Sequence, residues 1–536
     1  MEFGGESGGE IVRTVGLEAT MADGVVLVAD AWCPVTGGPW PVLLQRLPYG
    51  RSVASTPVLP HPAWFARHGY AVIVQDCRGR GDSTGAFAPF VDEAADGAAS
   101  IEWAARLGFC DGRVATYGFS YQGLAQLYAA AEHPPSLRAI APMMCCPDPY
   151  EGWTYEGGLL RWPFACFWAA QLQGQQHRTG PVPFDTGAVP ISGALGQHPP
   201  AWFGEWLAHP GDDEYWAVRR PDLDAVSVPA FTVMGWFDDF SSGTATLIMR
   251  LRAEAWCGPW AHMPWGTRHG GFEFGPEASP APVWDALVAF FDRAFDRPPA
   301  PVGGDERPAG GVNYFVLGDG WRQASTWPPP RTIVSMTGSS ATGNANSRWG
   351  DGMLVADSDC HPNVPTTLVS EPRFAHPGDP VAFQDDAPAQ DRRDVACFTT
   401  APASAHIDIT GSPVVRVVTT CDRPRHDMVA TLSIVDPDGT ARTITGYAQR
   451  LLEPVAEGNE TSWAIQLRPI AVRVRPDQQL RLSLSGARFP CYDRNAQTST
   501  HDVETTASDQ AVATIVIRSV ELDLPVAIAS AHSPPA

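Results

Sequence analysis

Three polar side chains, far apart in the chain, have the types and the order of an acyl-transfer site. A serine stands in Gly118-Phe119-Ser120-Tyr121-Gln122-Gly123, directly after an apolar strand run ending at Tyr117 and directly before the helix-like run Leu124 to Ala129. A sharp strand-to-helix turn needs glycines beside its strained residue, and it lifts the hydroxyl clear of the sheet at the positive end of a helix. Ser120 is therefore the candidate nucleophile. The second glycine falls one place later than in G-x-S-x-G, so a glycine-rich turn capped by serine is the competing reading. A serine hydroxyl is a weak nucleophile at neutral pH and needs a general base whose tautomer a carboxylate holds. In α/β-hydrolases the chain order is Ser, then Asp or Glu, then His. The run Phe231 to Met234 leads into Gly235-Trp236-Phe237-Asp238-Asp239, which offers two competing acids just past a strand end. Cys257-Gly258-Pro259-Trp260-Ala261-His262 then places an imidazole in a tight turn. His262 is the candidate base and His269 its local rival.

The elements that must position these groups are legible as alternating strands and helices. Apolar runs at Val25 to Val28, Pro41 to Gln45, Tyr70 to Val74, Arg113 to Tyr117 and Leu137 to Ala141 have the continuous character of a sheet covered on both faces. Ala94 to Leu107 has helical spacing, which makes the pattern α/β. From about Asp148 to Asp224 the strand rhythm stops, and Trp153, Trp162, Trp168, Trp202, Trp206 and Trp216 mark an inserted helical cap. The sheet resumes at Val228, a helix from Val283 to Phe295 follows, and Pro and Gly gather from Arg297 to Gly311 as a linker. Short alternating strands after Ser370, at 414–419, 428–435, 463–467, 480–484 and 513–517, indicate a β-sandwich. The expected division is a first hydrolase segment at 1–147, the cap at 148–224, a second hydrolase segment with linker at 225–345, and the β-sandwich at 346–536.

Composition narrows the chemistry. At 536 residues, with 44% hydrophobic and 18% charged, the chain is a folded protein of two to four domains. Its formal charge of -22 would repel a nucleic acid. All 37 basic residues are arginine, which removes Schiff-base lysines, Ser-Lys dyads and P-loops. The start, MEFGGESGGEIVRTVG, has neither a basic nor an apolar leader region, and no apolar run approaches the length of a membrane span. Eleven scattered cysteines show no metal-binding spacing and read as thiols in a reducing, cytoplasmic compartment. No cofactor and no metal are expected.

Several motifs together resemble the cocaine esterase family of serine hydrolases, which also includes X-Pro dipeptidyl peptidases, glutaryl cephalosporin acylases and α-amino acid ester hydrolases. They are Arg46-Leu47-Pro48-Tyr49, Gln75 to Gly81 with Ser83 and Gly85, Asp111-Gly112-Arg113-Val114, the GFSYQG turn, Gly235 to Asp238, and Gly258-Pro259-Trp260-Ala261-His262. Farther on stand Asp436-Pro437-Asp438-Gly439, Phe489 to Asn495 and Leu524-Pro525-Val526, which match the family's jelly-roll domain. The resemblance implies an α/β-hydrolase fold with a helical cap and a C-terminal jelly roll. It assigns Ser120 as nucleophile, Asp238 and not Asp239 as acid, and His262 as base. It also assigns the Tyr49 phenol and the Tyr121 backbone amide to the oxyanion hole. The RGRG stretch reads as a loop bracing the sheet edge.

One departure bears on substrate. Family members that bind a substrate α-amino group carry carboxylates two and three places after the triad aspartate, where this chain has Phe240 and Ser241. The expected substrate is a small-molecule ester or amide with an apolar or aromatic acyl group, and a homodimer is the assembly left open. The same triad would serve an acyltransferase of small-molecule biosynthesis or an X-Pro dipeptidyl peptidase. A carbohydrate- or partner-binding protein is the non-enzymatic alternative.

Overall fold

The computed structural model describes residues 10–53, 58–176, 182–196, 199–298, 310–356, 363–376, 383–499, 503 and 505–528. The glycine-rich start and most of the linker expected at 297–311 lie outside them. Within them, the apolar runs become the middle of a sheet. Strands β1 (Ile11–Thr20), β2 (Val26–Pro34), β3 (Trp40–Leu47), β4 (Ala71–Asp76), β5 (Cys110–Phe119) and β6 (Leu137–Met143) lie in the order β1-β2-β4-β3-β5-β6. The first two are antiparallel additions, and β4, β3, β5 and β6 run parallel. Every residue of β4 is buried, as a strand covered on both faces requires. Helices α1 (Pro62–Arg67), α2 (Glu93–Ala105) and α3 (Tyr121–Ala131) alternate with these strands.

Between β6 and the next long strand the chain makes a two-stranded hairpin, β7 (Tyr155–Glu156) with β8 (Leu159–Leu160), and the helices α4 (Trp162–Gln176), α5 (Ala201–Ala208) and α6 (Glu214–Ala217). The cap tryptophans pack mainly on one another. Trp168 and Trp206 stack at 5.7 Å and 6°, Trp202 and Trp216 flank Trp206, and Trp153 meets Trp168 edge-on at 5.8 Å.

The sheet then continues through β9 (Phe231–Phe237) and β10 (Glu254–Ala261), with α7 (Ser241–Leu251) between them. A parallel bridge from Ile140 to Ala230, and the Met144 amide on the Val233 carbonyl at 2.8 Å, join β6 to β9. After a short hairpin, β11 (Arg268–His269) with β12 (Phe272–Glu273), helix α8 (Ala281–Ala294) shares a core with α1 on one face of the sheet. Helices α2 and α3, together with the cap, share another. Strands β13 (Val312–Val316) and β14 (Gly320–Ala324) extend the sheet from β10.

The C-terminal region is built from β15 (Arg331–Ser339), β16 (Met353–Ala356), β17 (Thr366–Ser370), β18 (Val395–Thr399), β19 (Ile407–Gly411), β20 (Val414–Cys421), β21 (Asp427–Val435), β22 (Ala441–Arg450), β23 (Glu460–Gln466), β24 (Ile470–Val474), β25 (Gln479–Ser485) and β26 (Ala513–Ala527). These are the strands of the expected β-sandwich, and hydrogen bonds link them into one continuous, curled network, because the 15-residue β26 pairs with β15 and β17 along one edge and with β20 and β19 along the other. The strands of this region begin with β15 at Arg331. The first five residues of β15 are all exposed, and that uniform exposure leaves no alternating pattern to mark the strand.

Candidate active site

The turn after β5 puts Ser120 at φ 61° and ψ -132°, a left-handed backbone that a non-glycine residue adopts only where its surroundings enforce it. The Ser120 amide is held by the carbonyls of Met143 (3.0 Å) and Met144 (3.2 Å), and α3 begins at the next residue. Both glycines of the motif have a steric reason. A Cβ on Gly118, at φ 149°, would lie 2.6 Å from the Gln122 side chain. One on Gly123 would lie 2.8 Å from Cys145 Sγ. The tight approach at position 123, where α3 crosses the end of β6, accounts for the second glycine standing one place late. Position 122 instead carries a buried glutamine that accepts a 2.7 Å bond from Gln45.

Opposite the serine, Tyr49 follows the end of β3. Its phenol lies in hydrogen-bonding reach of the Ser120 hydroxyl and accepts a 3.1 Å bond from the Trp168 indole. Burial pushes its ionisation up to about 12, so it remains a neutral O–H donor at working pH. The Tyr121 amide begins α3 beside it, and the Tyr121 phenol is fixed below by Glu93 (2.9 Å), which Arg46 pairs with at 2.7 Å.

The other half of the site lies past the ends of β9 and β10. His262 Nδ1 bonds Asp238 Oδ1 at 2.8 Å, and Asp238 is fully buried. The two strand ends close on each other because Gly235 lacks a side chain: a Cβ there would lie 2.3 Å from the Trp260 carbonyl. The His262 ring packs against Phe119, the residue before Ser120, at 5.4 Å, and against Phe240 edge-on at 5.2 Å. Ser120, Tyr49, Asp238 and His262 thus gather at the carboxyl ends of β5, β3, β9 and β10, the edge where α/β sheets collect function.

The rivals part company here. Asp239 is paired with Arg161 at 2.9 Å, and although burial raises its carboxyl, Arg161 and Arg468 outweigh that and hold it below the usual range. His269 stacks on Phe237 at 4.6 Å, and burial disfavours its charged form. The RGRG loop works as a brace: Arg78 makes two bonds to Asp96, and Arg80 donates to the Pro48 and Leu172 carbonyls. Trp168 and the Glu93–Arg46 pair were missed from sequence, since nothing in local spacing marks a contact between residues so far apart. Among the described residues, no group of three or more His, Cys, Asp or Glu could hold a metal ion, and no helix is long and apolar enough to cross a membrane.

Known proteins resemble this chain along most of its length. Residues 23–264 match the X-Pro dipeptidyl-peptidase (S15 family), and residues 307–519 match the X-Pro dipeptidyl-peptidase C-terminal non-catalytic domain. The cocaine esterase of Rhodococcus sp. is 29% identical over 539 residues, covering 89% of this chain and 91% of that protein. Two solved structures show the same fold: an aminopeptidase from a marine-sediment Thaumarchaeota archaeon (TM-score 0.82, 18% identity, 97% of each chain) and an α-amino acid ester hydrolase (TM-score 0.78, 20% identity, 98% of each chain). The chain is a hydrolase of ester or amide bonds, with an S15-type region at 23–264 followed at 307–519 by the matching C-terminal non-catalytic domain.

Proposed function

We propose that this enzyme cleaves a small-molecule carboxylic ester or amide through a serine acyl-enzyme. His262 takes the proton of Ser120 as the hydroxyl attacks the carbonyl, while Asp238 holds the imidazole tautomer and supports its positive form. The Tyr49 phenol and the Tyr121 amide receive the negative oxygen. The leaving group departs with the proton from His262, and water then releases the acyl group by the same steps in reverse order. One observation carries the reading: His262 bonds the buried Asp238 at 2.8 Å and packs on Phe119, the residue before a serine held at positive φ beside a neutral phenol.

An apolar or aromatic acyl group fits best. Phe240 lies against the His262 ring and stacks on Trp153 at 4.8 Å, so the position where amine-binding relatives keep a carboxylate is a hydrocarbon wall. The carboxylates that lie nearby, Asp239 and Glu156, are each paired with an arginine, Arg161 and Arg468. A substrate ammonium group would find its counterions already engaged, which favours a neutral acyl group over an aminoacyl one. Ten free cysteines among the described residues fit a reducing, cytoplasmic setting.

The test is covalent labelling. A fluorophosphonate should modify Ser120, identified by peptide mass, and Ser120→Ala should lose turnover of p-nitrophenyl benzoate by about 10⁴-fold or more. Retained turnover in Ser120→Ala would overturn the mechanism, and a preference for p-nitrophenyl esters of free amino acids over the benzoate would overturn the acyl assignment.

A further inference from the structure

Tryptophan offers hydrogen-bond chemistry of only one direction. Its indole N–H donates and accepts nothing, whereas a phenol oxygen can donate one proton and accept through two lone pairs. In the 3.1 Å contact between Trp168 and Tyr49, the indole is therefore the donor and the phenol oxygen the acceptor. With one lone pair so engaged, the Tyr49 proton is directed away from the indole, and the Ser120 hydroxyl lies in hydrogen-bonding reach of the same phenol. An oxygen that accepts a hydrogen bond also donates its own proton more strongly, because chained bonds polarise one another.

Trp168 is placed to do this with little freedom. Its ring stacks on Tyr121 at 5.7 Å and on Trp206 at 5.7 Å, and Trp153 and Trp202 close its edges. Tyr121, in turn, is fixed through its phenol by Glu93 and by the Phe90 amide. One cap indole thus touches both residues that would supply oxyanion donors: it bonds to the phenol of Tyr49 and packs on the ring of Tyr121. The helix that carries it is fastened a second time. Leu172, one turn beyond Trp168 on α4, gives its carbonyl to Arg80 (2.9 Å), whose Nε bonds the Pro48 carbonyl immediately before Tyr49 (2.7 Å). Residues four apart share a helix face, so a single face of α4 is tied to the Pro48-Tyr49 segment at two points.

We infer that Trp168 is a positioning residue for the reaction: its indole N–H sets and polarises the Tyr49 phenol, and α4 of the cap thereby forms part of the oxyanion hole as well as covering it. The inference rests on the serine acyl-enzyme reading above. It assigns Trp168 a role in stabilising the transition state beyond that of a wall for the acyl group.

Two replacements of Trp168 in the full-length enzyme separate these roles. Trp168→Phe removes the N–H and some ring area. Replacement by β-(3-benzothienyl)alanine, introduced by codon suppression, keeps the bicyclic shape and substitutes sulfur for N–H. With p-nitrophenyl benzoate, the benzothienyl enzyme should show kcat lowered about tenfold with KM within about twofold, the size of one neutral hydrogen bond used mainly in the transition state. In a Tyr49→Phe background the same replacement should change kcat by less than about twofold, because the partner oxygen is gone. An equal loss in both backgrounds, or a change confined to KM, would overturn the inference, since a wall or a merely structural residue acts whether or not Tyr49 carries its hydroxyl. Labelling of Ser120 and the effect of Tyr49→Phe alone test the underlying reading independently, so its failure is distinguishable from a failure of this one.

Discussion

The turn that carries Ser120 and the seam where the cap meets the C-terminal β region are both crowded with buried polar groups, and they use them in opposite ways. At the seam the groups are closed into pairs. Arg468 binds Glu156, which also accepts a 2.9 Å bond from Tyr492, and Arg450 makes two 2.9 Å bonds to Asp427 and one of 2.7 Å to Asp493. Asp493 also caps the Leu160 amide at 2.9 Å, and the hairpin tip sits so close that a Cβ on Gly157, at φ 54°, would lie 2.1 Å from the Ala448 carbonyl. At the catalytic edge the pairing is left incomplete. Asp238 spends one oxygen on His262, and its other oxygen, although buried, has no partner. Closed pairs hold domains together but are chemically spent; incompletely partnered groups cost stability and keep capacity for bonds made during the reaction.

That contrast can be broken at either end. Asp238→Asn preserves shape but favours the wrong imidazole tautomer, and kcat should fall by about 10⁴-fold, as in other triads. Its thermal or denaturant midpoint should change little, because the residue it replaces was already incompletely satisfied. Arg468→Met should do the reverse. It strands the Glu156 carboxylate in a buried site, with an expected loss of roughly 3 to 5 kcal/mol in folding free energy. The kcat of the molecules that remain folded should stay within about twofold of the parent, a margin well below a tenfold, 1.4 kcal/mol effect on the barrier. Urea melts followed by fluorescence, with kcat corrected for active sites by fluorophosphonate titration, read both quantities in one preparation. If Arg468→Met lowers kcat per titrated site as strongly as Asp238→Asn does, the seam is part of the catalytic apparatus and the distinction fails.

The difference also explains what could be read from the chain. The catalytic edge is marked locally, since the sharp turn at Ser120, the strand ends at Asp238 and His262, and the glycines that let them approach all leave short patterns. The choice between Asp238 and Asp239 did not follow from the residues themselves. Adjacent side chains past a strand end turn different ways, one to His262 and the other to Arg161, and the pattern around them holds no record of which partner lies on which side. The resemblance to known hydrolases chose Asp238, the residue that bonds His262. At the seam, Glu156 and Arg468 are 312 positions apart, and nothing at either end announces the other. The same holds for β26, of which only 513–517 were legible as a strand. The rest of it pairs along its two edges with β15 and β20, which come from distant stretches of the chain. Tryptophan content marked the cap, yet it could not say that one of those indoles bonds a phenol in the active site.

One seam residue departs from the closed-pair rule, and it gives the smallest and most conditional effect. Glu151 lines a cleft of about 400 Å³ between cap and β region, accepts bonds from Tyr447 and from the Gly157 amide, and among the described residues no arginine bonds it. Burial pushes its ionisation up to about 7, helped by the nearby Glu156 and opposed by the Tyr447 bond. The folded protein therefore keeps a proton on Glu151 at pH values where the unfolded chain, with an ordinary carboxyl, has released it. The stability contributed by this group is full below the ordinary carboxylate range and declines as pH rises through about 7. Glu151→Gln holds a neutral amide at every pH and can still accept from Tyr447 and Gly157. It should therefore be more stable than the parent at pH 8 by roughly 1 to 3 kcal/mol, with the advantage shrinking toward zero near pH 5. The difference between the two melting temperatures, taken across that range, isolates Glu151 from every other titrating group. A difference that stays constant from pH 5 to pH 8 would mean that the carboxyl at the seam ionises normally, and that even this acid is fully compensated.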